Sequence, residues 1–187
     1  MDFPNSEFWN YSSQIWTLPE VEATCLALQS DNDADINLLL YCCWMGGQNL
    51  CLNDDDLQTL LDTIQPWQTI IKPLRESRKM MQQQTIAMSA KLKDQTITHM
   101  NEMELNAEHM AQLALEKALK PETMPPCNTP GENPSGDIDC SLRNIKTYIN
   151  TLDGLSSAEE IMPQISQLLG AIFQDEEAVQ MAMMGSA

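Results

Sequence analysis

The chain has 187 residues, and its 43% of hydrophobic against 20% of charged residues excludes a protein that is disordered throughout. Its formal net charge of −17 at pH 7 argues against bulk attraction to nucleic acid or to an anionic membrane. The charge is uneven: residues 1–71 carry eleven acids and no base, whereas residues 72–93 carry six bases and one acid.

The first four predicted segments are helices. Ser6 suits the cap of the first helix, and Pro19 suits the first turn of the second. Residues 36–45 are apolar almost all round, which predicts a central helix buried on every side and ended by Gly46-Gly47. A fourth helix is predicted to open at residues 53–56, whose acids favour the positive end of a helix dipole.

Three alternating aspartates, Asp31, Asp33 and Asp35, precede the apolar run and raise the question of a metal site. A calcium-binding EF-hand loop counted from Asp31 needs Gly at its sixth position and Glu at its twelfth, but these positions hold Ile36 and Cys42. The prediction is therefore structural, with Asp33 or Asp35 capping the central helix and no metal bound.

The segment after the fourth helix is predicted to form a long helical arm. Pro66 is taken to begin a fifth segment, and Pro73 is expected to kink or restart it. Residues 74–120 contain neither Gly nor Pro, and residues 94–101 are the predicted break within them. Beyond the break, a 3-4-3-4 spacing predicts a self-association seam, formed by Met100, Met103, Ala107, Met110 and Ala114.

The last third of the chain is separated by residues 121–136, which hold five of the ten prolines and read as a linker. Residues 137–187 have the pattern of a helical hairpin with a tail. Such a hairpin cannot bury its own apolar stripe, so it must dock on the first domain, on a second copy or on a partner. The predicted organisation is a helical domain over residues 1–120 with its arm at about 74–120, then the linker, then the hairpin.

The predicted fold class is all-α: an irregular helical bundle around a fully buried central helix, with a long helical arm and a C-terminal helical hairpin. No strand alternation and no tight hairpin turn is found. The first residues lack a secretory pattern, and the apolar run of residues 38–45 is far shorter than the ~20 residues that a membrane helix needs. These patterns predict a cytoplasmic protein with no membrane contact.

Recognisable chemistry is scarce in the sequence. The six cysteines form no C-x-x-C pair and have no histidine at ligand spacing, so we expect them to be reduced and without metal. No nucleophile-elbow or phosphate-binding glycine motif occurs, so no catalytic residue and no cofactor is predicted.

One polar and aromatic group is a candidate site. Arg75 and Arg78 share one helical face and have the chemistry to clamp a phosphate or carboxylate. The alternative is an internal lattice of ion pairs with Asp31, Asp33 and Asp35. The candidate partner- or ligand-binding residues are Asp35, Asn37, Trp44, Trp67, Arg75 and Arg78.

Three functions remain open from the residues alone. The leading hypothesis is a non-enzymatic helical interaction or adaptor module, whose partner is a protein, with a homodimer as one form. The second is a small-molecule or enzymatic pocket at the candidate site. The third is RNA or ribosome association through residues 72–93, which the overall charge disfavours.

The sequence also resembles a proteobacterial family of uncharacterised proteins, domain of unknown function 2390, over residues 6–115. The motifs that carry the resemblance are Phe8-Trp9-x-x-Ser12, Pro19-x-Val21, Cys25-Leu26-x-Leu28-Gln29, Asp35-Ile-Asn37-Leu-Leu-Leu40, Cys43-Trp44-Met45, Trp67, Pro73-Leu74-Arg75-x-x-Arg78 and Glu104-Leu-Asn-Ala-Glu108. The family often has Gly where this chain has Ala34. The resemblance implies a bacterial, cytoplasmic, all-helical protein and brings no established activity.

Overall fold

The computed structural model describes residues 3–85, 87–127, 136–152 and 158–185. Within these ranges the protein is all-α, as predicted, with no strand and one isolated β-bridge between Leu50 and Pro126. The helices are α1 (Glu7–Trp16), α2 (Pro19–Asn32), α3 (Ile36–Gly46), α4 (Asp54–Gln83), α5 (Ala90–Ala118), α6 (Gly136–Ile149), α7 (Met162–Phe173) and α8 (Glu176–Gly185). None of the described helices combines the length and apolar character needed to cross a bilayer.

The helix α3 is the centre of the core, which confirms the predicted buried helix. Nine of its eleven residues are buried, and helices α1, α2, α5 and α6 pack around it. Its predicted cap is Asp35, whose Oδ1 accepts hydrogen bonds from the backbone N–H groups of Asn37 (2.8 Å) and Leu38 (3.3 Å). Asp33 has another role: it ends α2 in the left-handed conformation, with φ 53°, which a short polar residue tolerates.

The caps of α1 and α4 also follow the sequence pattern. Ser6 Oγ accepts a hydrogen bond from the N–H of Trp9 at 2.9 Å. At α4, Asn53 and Asp56 form a reciprocal capping box, each side chain accepting from the other's backbone N–H at 2.9 and 3.1 Å. Each arrangement satisfies N–H groups that the first turn of a helix leaves without a partner.

The helix α6 packs closely along α3. A Cβ on Gly46 would overlap the backbone of Ser141, so only glycine permits this approach. The buried amide of Asn144 closes the contact, since its Nδ2 donates to the carbonyls of Cys42 (3.2 Å) and Leu50 (2.9 Å). Its Oδ1 accepts from the N–H of Leu52 at 2.8 Å.

The C-terminal helices dock on the first part of the chain. The helix α7 packs on α2, and α8 packs on both α6 and α7. This packing buries the apolar stripes of α6 and α7. Of the three possible docking surfaces for these stripes (the first domain, a second copy or a partner), the structure shows the first. Half of the predicted linker, residues 128–135, lies outside the described residues, as do residues 186–187 of the predicted tail.

The helices α4 and α5 form a long antiparallel hairpin, and its details correct the sequence prediction. Neither Pro66 nor Pro73 interrupts α4. Both prolines lie on the exposed face, where water can satisfy the carbonyl groups that lack a donor. The arm is interrupted between the end of α4 at Gln83 and the start of α5 at Ala90, before the predicted 94–101, and Ser89 caps α5 by accepting from the N–H of Leu92 at 3.3 Å.

One disulfide is present, between Cys51 and Cys127, with their Cα atoms 5.1 Å apart. The expectation that all six cysteines are reduced is therefore wrong for this pair. The signal was hidden because the two residues are 76 positions apart and meet only through the fold. The disulfide joins the loop after α3 to the segment that follows α5.

Candidate functional site

A network of polar and charged side chains begins at the N-terminus of α3. The Asp35 carboxylate accepts a hydrogen bond from Gln68 Nε2 on α4, in addition to the two backbone bonds of its cap. Its own backbone N–H donates to the hydroxyl of Tyr148 on α6 at 2.6 Å. Burial raises the pKa of the Asp35 carboxyl, and these hydrogen bonds and the charge of Arg75 lower it by less.

The network continues through a buried amide on α3. Asn37 Nδ2 donates to a carboxylate oxygen of Glu108. Asn37 Oδ1 accepts from Gln112 Nε2 at 2.9 Å. The Ser12 hydroxyl in turn donates to Gln112 Oε1 at 2.6 Å. One line of hydrogen bonds thus joins α1, α5 and α3 through groups that would be costly to bury alone.

The two arginines of the candidate site clamp α4 to α5. Arg75 reaches Glu104 through Nε at 2.9 Å and Glu108 through its terminal nitrogen at 2.6 Å. Arg78 reaches Glu104 through Nε at 2.6 Å. These four side chains are only 13–19% exposed, so the pairs are better shielded from water than ordinary surface ion pairs.

The arginines are therefore paired internally, but with partners other than the expected ones. Neither arginine forms an ion pair with Asp31, Asp33 or Asp35 in the described part of the chain. Asp33 instead pairs with Lys72 at 2.8 Å, in an exposed ion pair. The glutamates are the partners because the antiparallel hairpin places α5 alongside α4. The sequence pattern does not indicate this packing.

The two glutamates have pKa values displaced in opposite directions. Burial alone would raise the pKa of Glu104, but the hydrogen bonds and charges of Arg78 and Arg75 outweigh it and lower that pKa. Burial raises the pKa of Glu108, the charges of Asp35 and Glu104 add to this, and Asn37 and Arg75 offset only part. The network therefore holds one carboxylate firmly ionised beside two that bind protons more readily than in water.

The two candidate tryptophans lie outside this network. Trp44 stacks on Phe8 with ring centroids 5.3 Å apart, and nine residues of helix separate it from Asp35, about 13 Å. Trp67 is half-buried and packs against the hydrophobic core. The structure thus brings together Asp35, Asn37, Arg75 and Arg78, while both tryptophans serve the core.

A cavity of about 340 Å³ opens beside Asp35. Gln68, Lys72 and Arg75 line one side, and Tyr148 lines the other. Of the six candidate residues, Asp35 and Arg75 line this cavity. Acidic and basic groups face the same space, a composition that suits a small polar ligand carrying both charges.

The outer side of the hairpin carries apolar side chains. Met103 and Met110 are 55% and 39% exposed, whereas the buried face of α5 contains Ala111, Gln112 and Leu115. Helical periodicity turns the Met103 side about 100° away from the face of Glu104. Ile70 and Met80 of α4 are also exposed. We call the side of α5 that carries Met100, Met103 and Met110 the methionine flank.

Sequence reasoning missed several members of the network. Glu104, Glu108 and Gln112 repeat at i, i+4 and i+8, and this acidic and amide row was the available signal. Its partners on α4 become evident only once the antiparallel packing of α4 and α5 is known. Nothing in the sequence indicated Tyr148, because it comes from α6.

Comparison with known proteins gives a family and no activity. No curated protein and no solved structure matches this chain. Residues 7–115 match the sequence profile of the family described as Protein of unknown function (DUF2390). This match covers more than half of the chain and includes Asp35, Asn37, Arg75, Arg78, Glu104 and Glu108. The chain therefore belongs to the family of proteins of unknown function DUF2390.

Proposed function

We propose that this protein is a non-enzymatic helical interaction module whose methionine flank pairs with the same flank of a second copy. The observation that carries the proposal is the concentration of exposed apolar side chains on one hairpin. Of the nine large hydrophobic side chains that are exposed in the described ranges, six lie on α4 and α5. Exposed apolar surface of this kind is typical of interaction sites, and methionine adapts to a partner's shape.

The base of the hairpin is fixed, which favours a surface that keeps its shape. The Arg75 and Arg78 ion pairs lock α4 to α5, and Asn37 and Ser12 tie α5 to the core. At the far end, Lys93 Nζ donates to the carbonyls of Gln82 (3.1 Å) and Gln84 (3.0 Å) and so holds the turn. A preorganised surface loses less conformational entropy on binding.

A second copy is the occupant that the spacing favours. Met103 and Met110 are seven positions apart, about two helical turns, so both project from one side of α5. An antiparallel pair of identical helices with its two-fold axis midway between them sets Met103 of one copy against Met110 of the other. Such a two-fold contact closes on itself and forms a dimer.

Analytical ultracentrifugation over a range of protein concentrations tests the proposal. We expect a monomer–dimer equilibrium in the wild type and a monomer for the double variant Met103→Glu/Met110→Glu, because pairing would bury two new carboxylates on each copy against apolar surface. Met184→Glu is the matched control, since Met184 is 72% exposed on α8 and lies away from the flank. This control should still form the dimer.

The proposal fails if the wild type remains monomeric at the highest concentration, or if the double variant and the control dimerise equally. Circular dichroism spectra of all three proteins separate loss of pairing from loss of folding. Retained dimerisation with a folded double variant would assign self-association to another surface.

The cavity beside Asp35 favours a second candidate function, the binding of a small zwitterion such as a free amino acid. Asp35 would face its ammonium group, and Lys72, whose ion pair with Asp33 is exposed and therefore weak, would face its carboxylate, within about 340 Å³. Titration of the twenty amino acids against a ¹⁵N-labelled sample should shift the amide signals around Asp35 and Tyr148. Asp35→Asn should abolish the shifts, and an absence of shifts at millimolar ligand, about the weakest affinity of interest, excludes this function.

The basic segment 72–93 supports nucleic-acid binding poorly. Lys72 pairs with Asp33, Arg75 and Arg78 pair with glutamates, and Lys93 binds the end of α4. These contacts occupy the charge that phosphate groups would need.

A further inference from the structure

Three cysteines distant in sequence meet at one point of the fold. Cys51 lies in the loop after α3, Cys127 follows α5, and Cys140 lies in the second turn of α6. Their Sγ atoms all lie within 4.8 Å of one another. Cys51 and Cys127 are half-buried and Cys140 is fully buried, so the cluster is reached from one side.

Backbone pairing and helix packing position the three sulfurs. The N–H of Cys127 donates to the carbonyl of Asn49 at 2.7 Å, beside the Leu50–Pro126 bridge. These two contacts hold the loop after α3 next to the segment that follows α5. The close contact at Gly46 holds α6 against α3 and so brings Cys140 to the same place. The cluster therefore depends on the same packing as the core, and it is not a meeting of mobile ends.

Two polar groups surround the sulfurs. The Cys140 thiol donates to Asn49 Oδ1 at 3.3 Å, and an Arg143 terminal nitrogen lies 3.7 Å from Cys51 Sγ. An arginine beside several thiolates offsets their negative charge, and an amide that orients a ligand sulfur is typical of the groups that support a metal site. A disulfide that served only as a crosslink would need neither group, nor the third sulfur.

We propose that Cys51, Cys127 and Cys140 bind one thiophilic d¹⁰ cation, Zn²⁺ or Cu⁺, when the Cys51–Cys127 disulfide is reduced. A dithiol reductant supplies two electrons and two protons, which convert the disulfide into two thiols while the reductant becomes a disulfide. Binding then releases the three thiol protons and forms three metal–sulfur bonds. With the disulfide in place two of the three ligands are occupied, so the site exists only in the reduced protein.

The dimensions and chemistry of the cluster fit such an ion. Sulfurs bound tetrahedrally to zinc at about 2.3 Å lie about 3.8 Å apart. Cys140 Sγ lies within 4.8 Å of the other two sulfurs, and reduction allows Cys51 and Cys127, which are bonded in the disulfide, to separate to that distance. Thiolates are soft ligands and select Zn²⁺ or Cu⁺ over Mg²⁺ or Ca²⁺. Three ligands complete a trigonal Cu⁺ site, whereas Zn²⁺ would keep a fourth position for water. The inference does not rest on the proposed dimer.

Metal titration of the reduced protein under anaerobic conditions tests the site. Co²⁺ is the spectroscopic probe for the zinc arm, and Cu⁺ is titrated against a coloured Cu⁺ chelator. We expect one ion per chain and, with Co²⁺, the charge-transfer absorption of thiolate ligands. Cys140→Ala should weaken binding at least about 100-fold. Cys25→Ala removes a core thiol outside the cluster and should bind within about twofold of wild type.

A second measurement guards against variants that fail to fold. In the wild type, the bound ion should protect Cys51, Cys127 and Cys140 from alkylation, as read by mass spectrometry, and the oxidised protein should take up no ion. The proposal is overturned if the reduced wild type binds neither ion, if Cys140→Ala binds as tightly as wild type, or if alkylation of the three residues is unchanged by metal.

Discussion

Two pairs of helices in this molecule are held together by different interactions: α3 packs closely on α6, and ion pairs join α4 to α5. The first brings two backbones together at Gly46, with a buried amide, Asn144, satisfying the carbonyl groups at the seam. The second holds its helices by ion pairs of Arg75 and Arg78 and leaves its outer side apolar and exposed. Close packing excludes water from the core between α3 and α6, whereas the ion pairs fix a hairpin whose outer surface remains exposed to a partner.

The largest effect is expected where the α3–α6 contact is closest. Gly46→Val should lower the free energy of unfolding by about 4 kcal/mol, because the new side chain overlaps the Ser141 backbone, which cannot move aside cheaply. Urea denaturation followed by circular dichroism measures the change.

Gly170→Ala on α7 is the matched control, since a Cβ there meets no atom within 4 Å. It should raise stability by up to about 1 kcal/mol, because alanine favours a helix over glycine. Equal behaviour of the two variants would contradict the role given to Gly46.

An intermediate effect is expected at the hairpin. Arg75→Ala should cost about 2 kcal/mol, since it leaves Glu108 largely buried without its cation. Lys72→Ala removes the exposed pair with Asp33 and should cost less than about 1 kcal/mol. If the two changes cost the same in urea denaturation, the hairpin is not held by its shielded ion pairs.

The smallest effect is a pH dependence with opposite signs at the two glutamates. The folded protein lowers the pKa of Glu104, so its stabilisation is present above the unfolded pKa, about 4.3, and is lost as pH falls through the folded pKa. The pKa of Glu108 is raised, so its protonation favours the folded state; this contribution is fully present below the unfolded pKa and is lost as pH rises through the folded pKa.

Comparison of wild type with Glu104→Gln and Glu108→Gln between about pH 3 and pH 7 separates these contributions. The stability difference between wild type and Glu104→Gln should shrink on acidification. The difference for Glu108→Gln should move in the other direction. If both stability differences changed in the same direction with pH, the pKa values of the two glutamates would not be displaced in opposite directions.

The sequence indicated the elements of this molecule better than their partners. The all-round apolar pattern of residues 36–45 identified α3, and the caps at Ser6, Asp35 and Asn53 followed from local chemistry. The interruptions predicted at Pro66 and Pro73 were wrong, because a proline on a solvent-facing side does not stop a helix, and residues 94–101, the predicted break in the arm, lie within α5. Arg75 and Arg78 were recognised as an unusual pair, but their acidic partners were sought before α3 and lie on α5.

The amino-acid sequence by itself determined that this protein is helical, which helix is buried and where most helices begin, because periodicity and caps act over a few residues. Only the tertiary structure decided that Glu104 and Glu108 meet the arginines, that Asn37 is bonded to Glu108 and Gln112 and that three cysteines share one place. Arg78 and Glu104 are 26 positions apart, and Cys51 and Cys127 are 76 positions apart. They depend on how whole helices pack, and no local pattern specifies that.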